Sequence, residues 1–292
     1  MTIGKLIENA TKAFLSQGLP TPRLDAEVLL ASYLNEDRTW LYIHSGQDMN
    51  ASDVAGFSRW VTRRQQGEPV AYIIGCKEFW SLDFAVDSRV LIPRPDTEVL
   101  VEEVLKALAI NKTSGKTSGS EILDLGTGSG AIAVALAHEC PEARITATDI
   151  SREALAVAAG NAERNRVASR ITFLDGNLFS PVKGCFDVIV SNPPYITGGD
   201  YSQLAVGVRN FEPLEALLAG KEGMDFYEKI IPQSACHLKP GGWLLLEIGD
   251  GQKELIEGLF RQSGAYQNVA FRKDYAGRWR VVKAMRKEEE CG

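Results

Sequence analysis

Residues 122–131 read Ile-Leu-Asp-Leu-Gly-Thr-Gly-Ser-Gly-Ala. A short, mostly apolar run ends in three glycines at alternate positions, and an alanine-rich run over residues 131–138 follows at once. That order predicts a buried strand, a tight loop and a helix, the opening of a βαβ unit. Glycines let the backbone turn sharply and approach a ligand with no Cβ in the way. Nineteen residues after Gly130, at the end of the next strand candidate, stands Asp149. A carboxylate there can accept both hydroxyls of a ribose.

The glycine pattern leaves two cofactor classes open. Gly126, Gly128 and Ala131 also satisfy the dinucleotide fingerprint of an NAD-dependent enzyme. Asp124 leans the other way. An acid just before the glycines is awkward beside a pyrophosphate and welcome beside the cationic methionine part of S-adenosylmethionine.

Outward from this loop, strands and helices alternate. Residues 144–148, 171–174, 187–190 and 243–248 are short apolar strand candidates, and residues 131–138, 152–165 and 223–238 read as helices. The order implies an α/β fold, a doubly wound, mostly parallel sheet with helices on both faces. Residues 269–285 hold two strand-like runs around Ala276-Gly277, expected as an antiparallel pair at the sheet edge, with Arg278 and Arg280 as a solvated charge pair. Residues 111–120 read as a polar surface loop. Asp96 is placed to cap a helix over 97–108, with Pro95 entering it.

Residues 1–75 read differently. Ile3, Leu6, Ile7, Ala10, Ala13 and Phe14 recur at helical spacing until Gly18 and Pro20, and residues 25–34 and 53–66 give further amphipathic stretches. A small helical bundle is expected there, without a catalytic constellation. Residues 76–92 alternate apolar and polar types and read as a β-hairpin linking the bundle to residues 93–292.

Composition excludes several classes. The 292 residues are 45% hydrophobic and 24% charged, with a formal net charge of -6. That balance argues against a protein that mainly grips nucleic acid. Five cysteines at 76, 140, 185, 236 and 291 lack Cys-x-x-Cys spacing, and three histidines offer little toward a metal site. Reduced thiols, no leader sequence and no apolar run of membrane-spanning length make a cytoplasmic protein the expectation.

The strand at 186–190 runs into Ser191-Asn192-Pro193-Pro194-Tyr195. In an open α/β sheet that position faces the ligand cleft. The tetrapeptide Asn192–Tyr195 suits the presentation of a planar NH₂ group. An amide nitrogen is a poor nucleophile because its lone pair is delocalised into the carbonyl. The Asn192 Oδ1 and the Pro193 carbonyl can each accept one of its N–H groups. Two prolines stiffen the loop, and Tyr195 offers a flat face for stacking.

Together these segments resemble the amino-methyltransferases that act on planar nitrogens, among them adenine-N6 enzymes of nucleic acids and protein glutamine enzymes. Residues 92–98 (IPRPDTE), 210–213 (NFEP) and 238–249 (LKPGGWLLLEIG) resemble more closely the HemK/PrmC family of peptide-chain release factor glutamine methyltransferases. The resemblance implies a Rossmann-like class I methyltransferase domain over 93–292 and a substrate-docking domain over 1–75. It implies S-adenosylmethionine as cofactor, held by Gly126, Thr127, Gly128, Ser129, Gly130, Asp149, Leu178 and Asn192. Asn192, Pro193, Pro194 and Tyr195 would hold the substrate, with Asn192, Pro193 and Tyr195 at the chemistry and no metal. The implied substrate is the glutamine of the Gly-Gly-Gln motif in class I release factors, methylated in support of translation termination by a monomer that needs neither nucleic acid nor membrane. Where the family often has an acid and a bulky residue beside the adenine, this chain has Asn177 and Leu178. The nearest alternative is an adenine-N6 methyltransferase, which the acidic charge and the absence of a basic stripe or Cys/His finger disfavour.

Overall fold

The computed structural model describes residues 1–113 and 119–288. Of the loop expected at 111–120, residues 114–118 lie outside the described part, as does Cys291. No two of the described cysteines are joined. The chain divides into two compact units, the first holding residues 1–76 with 204–211, the second residues 77–203 with the described residues from 212 onward.

The first unit is helical. It contains α1 (Ile3–Ser16), α2 (Pro22–Leu34), α3 (Arg38–Ile43), α4 (Ala51–Gln65), α5 (Val70–Ile74) and, from later in the chain, α10 (Val206–Phe211). Side chains of Thr2, Asp37 and Asn50 accept from the free amides at the starts of α1, α3 and α4. Phe14, Leu29, Leu30, Leu41 and Phe57 are buried together. The helices α3 and α5 are five or six residues long, too short to show a periodicity in the sequence.

The hairpin of β1 (Cys76–Phe79) and β2 (Leu82–Ala85) comes next and belongs, but for Cys76, to the second unit. Its turn residues Trp80 and Ser81 both have φ of 56°, the geometry a two-residue hairpin requires. A 3₁₀ turn, Pro95–Thr97, leads into α6 (Glu98–Thr113). Asp96 therefore lies inside that turn and does not cap the helix; its carboxylate is instead 3.4 Å from the Arg280 guanidinium.

There follow β3 (Glu121–Leu125), α7 (Ala131–Glu139), β4 (Arg144–Asp149), α8 (Arg152–Arg164), β5 (Ile171–Asp175) and β6 (Phe186–Ser191). A short α9 (Gly198–Tyr201), then α11 (Tyr227–His237), β7 (Leu238–Glu247), α12 (Lys253–Ser263), β8 (Tyr266–Lys273) and β9 (Trp279–Arg286) complete it. The seven strands lie in the order β5-β4-β3-β6-β7-β9-β8. Neighbours from β5 through β7 are parallel, and β9 runs antiparallel to both β7 and β8. The expected α/β class and the antiparallel tail are both present.

A second detail departs from expectation. Strand β9 is interior, so Arg280 is buried and not solvated. Its guanidinium reaches Asp274 Oδ2 at 3.1 Å and the Ile248 carbonyl at 3.3 Å, while Arg278 stays exposed. A buried guanidinium is tolerated only where such acceptors meet it.

Candidate active site

Strand order places the site. Helix α7 carries the chain from β3 to β4 on one side, and β6 lies on the other side of β3. The direction of winding reverses at β3/β6, which opens a crevice beyond the strand C-termini. The glycine loop leaves β3, Asp149 ends β4 and the Asn192 loop leaves β6. Three adjacent strands thus bring these groups within a span of about 10 Å of sheet.

The glycine loop is suspended from β4. The Gly126 and Thr127 amides both donate to the Thr148 carbonyl, at 2.8 and 2.9 Å. Gly126, Gly128 and Gly130 all have φ between 55° and 80°, which side-chain-bearing residues rarely adopt. A Cβ at Gly126 or Gly128 would meet open space, whereas one at Gly130 would press 3.0 Å from the Ala158 methyl. Two glycines therefore leave bare backbone facing the crevice, and the third lets α8 pack close.

Asp149 closes the other wall. Its Oδ2 accepts from the Gly128 amide at 2.8 Å and its Oδ1 from the Ser151 amide at 2.9 Å. A carboxylate has about four acceptor positions, so two remain for a ligand's hydroxyls. Ile150, directly after it, is 65% exposed, an apolar surface the sequence reading passed over. Leu178 lies half-buried against the core with φ of 48°, a strained setting of the kind found at ligand sites.

Asp124 is fully buried behind the loop and accepts from the Thr127 hydroxyl at 2.7 Å. Burial pushes its carboxyl up to about 7, against the pull of that hydroxyl. An approaching cation would favour its ionised form.

On β6, the Ser191 hydroxyl donates to the Leu125 carbonyl at 2.7 Å and ties the two loops together. Asn192 Nδ2 donates to the Thr97 hydroxyl at 3.2 Å. Thr97 in turn donates to Glu247 Oε2 at 2.7 Å, and the Tyr195 hydroxyl lies 3.5 Å from Glu247 Oε1. Pro193 is buried and Pro194 half-buried. The Gln252 side chain holds the loop's exit, donating to the carbonyls of Tyr195 and Gly223 at 3.2 and 3.1 Å. A Cβ on Gly223 would strike the Tyr195 carbonyl at 2.4 Å, so the chain must run bare there; α11 starts only at Tyr227 and not at the expected 223. Arg94 pairs with buried Glu212 at 2.6 Å, and Glu212 also accepts from the Ile92 amide. The Ile-Pro-Arg and Asn-Phe-Glu-Pro segments are thereby joined.

Among the described residues no group of histidine, cysteine or acid side chains could hold a metal ion, and no helix is long and apolar enough to cross a membrane. Sequence reasoning named the glycine loop, Asp149, Leu178 and the Asn-Pro-Pro-Tyr loop. It missed Gln252, and it gave Thr97 and Glu212 only as parts of the motifs at 92–98 and 210–213 and left Glu247 without a role.

Comparison with known proteins supplies the family. Residues 5–75 match the PrmC N-terminal domain and residues 97–212 the methyltransferase small domain. The chain is 42% identical to the release factor glutamine methyltransferase of Moorella thermoacetica, covering 99% of this chain and 100% of that protein. It is also 42% identical to that of Geobacter sulfurreducens, over 90% and 89% of the two chains. A crystal structure of a methyltransferase from Pyrococcus furiosus superposes with a TM-score of 0.52 at 25% identity, covering 73% of this chain and 92% of the other. Likeness at that level over nearly the whole length decides the matter: the chain belongs to the release factor glutamine methyltransferase family.

Proposed function

We propose that this protein transfers a methyl group from S-adenosylmethionine to the side-chain amide nitrogen of the glutamine in the Gly-Gly-Gln motif of class I peptide-chain release factors. The observation that carries the reading is the Asn-Pro-Pro-Tyr loop on β6, immediately beside the strand that bears the glycine loop. S-adenosylmethionine, when bound, supplies an electrophilic methyl group on a sulfonium.

The protein's own groups fit that task. The bare backbone at Gly126 and Gly128, with Thr127, Ser129 and Gly130, would hold the methionine and ribose parts. Asp149 would accept from the ribose hydroxyls, and Leu178 with Ile150 would flank the adenine. Asn192 Oδ1 and the Pro193 carbonyl would accept the two N–H groups of the substrate amide. Both bonds fix the nitrogen and favour its rehybridisation as the methyl arrives. Tyr195 and Pro194 would line the planar face of the substrate. Positioning and exclusion of water then supply the rate, with no covalent intermediate.

The glycines before the substrate glutamine would let its backbone come close to the cleft. Residues 1–75 would dock the rest of the factor, the hairpin at 76–92 would link them to the methyltransferase domain at 93–292, and the protein would act as a cytoplasmic monomer. The test is methyl transfer followed by mass spectrometry on the intact factor, its Gln→Ala variant, a short Gly-Gly-Gln peptide and an adenine-containing duplex. Only the intact factor should be methylated efficiently, the peptide far less, because remote contacts contribute to transition-state binding. Methylation of the duplex, or equal methylation of the Gln→Ala factor, would transfer the assignment to nucleic acid or to another residue.

Cofactor binding gives a separate check. Asp149→Ala should weaken binding of S-adenosylhomocysteine by about 1.5–3 kcal/mol, the scale of hydrogen bonds to a charged group. Calorimetric titration reads this directly. Unchanged affinity would remove Asp149 from the cofactor site, and tight binding of NAD by the wild-type protein would overturn the choice of S-adenosylmethionine.

A further inference from the structure

Glu247 is a carboxylate at the inner end of β7, 1% exposed, with Thr97 as its closest hydroxyl donor. Thr97 touches Asn192, and Glu247 reaches it through Thr97. On the functional reading above, we propose that the Thr97 hydroxyl, anchored on the Glu247 carboxylate, is a positioning group that sets which end of the Asn192 amide faces the substrate.

The argument is a count of protons. A hydroxyl carries one hydrogen and two lone pairs, and an ionised carboxylate only accepts. With its hydrogen given to Glu247 Oε2 at 2.7 Å, Thr97 has only lone pairs left for Asn192. Nδ2 must therefore point at Thr97, as it does at 3.2 Å. The Asn192 amide is planar, so Oδ1 is turned to the opposite side. There it can accept from a substrate amide, whose nitrogen offers only donors. A reversed Asn192 would set N–H against N–H. The torsion that reverses an asparagine amide is soft, so nothing in the side chain itself prevents the wrong orientation.

The surroundings of Glu247 make the device sensitive to pH. Burial pushes its carboxyl up to about 7, against the pull of the Thr97 hydroxyl, Arg280 and the Tyr195 hydroxyl, while Asp96 pushes it further up. From α11 the Tyr227 hydroxyl donates to the Glu247 main-chain carbonyl at 2.9 Å. Once protonated, the carboxyl can donate to Thr97. The Thr97 hydrogen is then released toward Asn192 and the reversed amide becomes as good a partner as the productive one. The working form is the ionised one, so kcat should fall as pH drops through the Glu247 titration.

Three variants test this with the full-length protein and an intact release factor, measuring kcat, KM and cofactor affinity across pH, with circular dichroism to establish folding. Thr97→Val should lower kcat by about tenfold or more, since small misplacements of a reacting group can cost as much as about 10²-fold. KM for the factor and affinity for S-adenosylhomocysteine should hold. Thr97→Ser, which keeps the hydroxyl, should recover most of kcat. Glu247→Gln should abolish the acidic limb of kcat seen in the wild type, and it carries the test if Thr97→Val does not fold. Wild-type kcat in Thr97→Val, equal impairment of Thr97→Ser, or an unchanged acidic limb in Glu247→Gln would overturn the proposal while leaving the reading of the function intact. A wild-type protein that leaves the factor's glutamine unmethylated would overturn both.

Discussion

Asn192→Ala is expected to reduce methyl transfer by about 10²-fold or more, the scale on which a lost positioning contact acts, with cofactor affinity nearly unchanged. The variant removes the acceptor proposed to hold one substrate N–H and leaves the amide nitrogen free to turn its lone pair away from the methyl. It also frees the Thr97 hydroxyl of its 3.2 Å partner. The Pro193 carbonyl is already assigned to the other N–H, and neither Pro193 nor Pro194 has a polar side chain to take the place of Oδ1. Single-turnover transfer measured by mass spectrometry, beside titration with S-adenosylhomocysteine, separates chemistry from binding. Wild-type turnover would remove Asn192 from the mechanism. A parallel collapse of cofactor affinity would make it a cofactor anchor instead.

Much of this site was legible because its parts are contiguous in the chain. A strand, three alternate glycines and the first residue of a helix occupy ten residues, and Asn192 to Tyr195 are consecutive. Strong local geometry leaves a local signature. The parallel run of strands was expected from the alternation of strands and helices, whereas the strand order, with β6 beside β3, was not. What the sequence hid were the groups that arrive from a distance. Thr97 is separated from Glu247 by 150 positions and from Asn192 by 95, so a threonine at a helix start gives no sign of either. Arg280 looked like a solvated charge because alternation marks two strands near Gly277 but not which of them docks on β7. Asn161 did leave a sign. It falls on the same helical face as Ala154, Val157, Ala158 and Ala162, where a polar residue must have a hydrogen-bonding reason to be buried.

That reason yields the second large effect. The Asn161 side chain is fully buried on α8 and makes three hydrogen bonds. Its Oδ1 accepts from the Ala85 amide at 2.7 Å, and its Nδ2 donates to the Ala85 carbonyl at 3.0 Å and to the Ser129 carbonyl at 2.9 Å. One amide thereby pins the hairpin strand β2 and the glycine loop to the same helix. Asn161→Leu keeps the volume but strands three backbone groups. Each buried unsatisfied group costs about 1–3 kcal/mol, and water reaching the half-buried Ala85 end offsets part of that. A net loss of about 3 kcal/mol is expected, which for a domain of this size lowers Tm by roughly 6–12 °C. The effect should also reach the cofactor. With the Ser129 carbonyl released, the loop no longer holds its turn, and affinity for S-adenosylhomocysteine should fall although Asn161 touches no ligand. Saturating cofactor should then recover part of the lost Tm, since a ligand that binds only the folded state stabilises it by mass action. Thermal unfolding with and without S-adenosylhomocysteine measures both. A variant that melts with the wild type would show that water replaces all three bonds. One that melts lower but binds cofactor with full affinity would show that the glycine loop keeps its shape without the helix behind it.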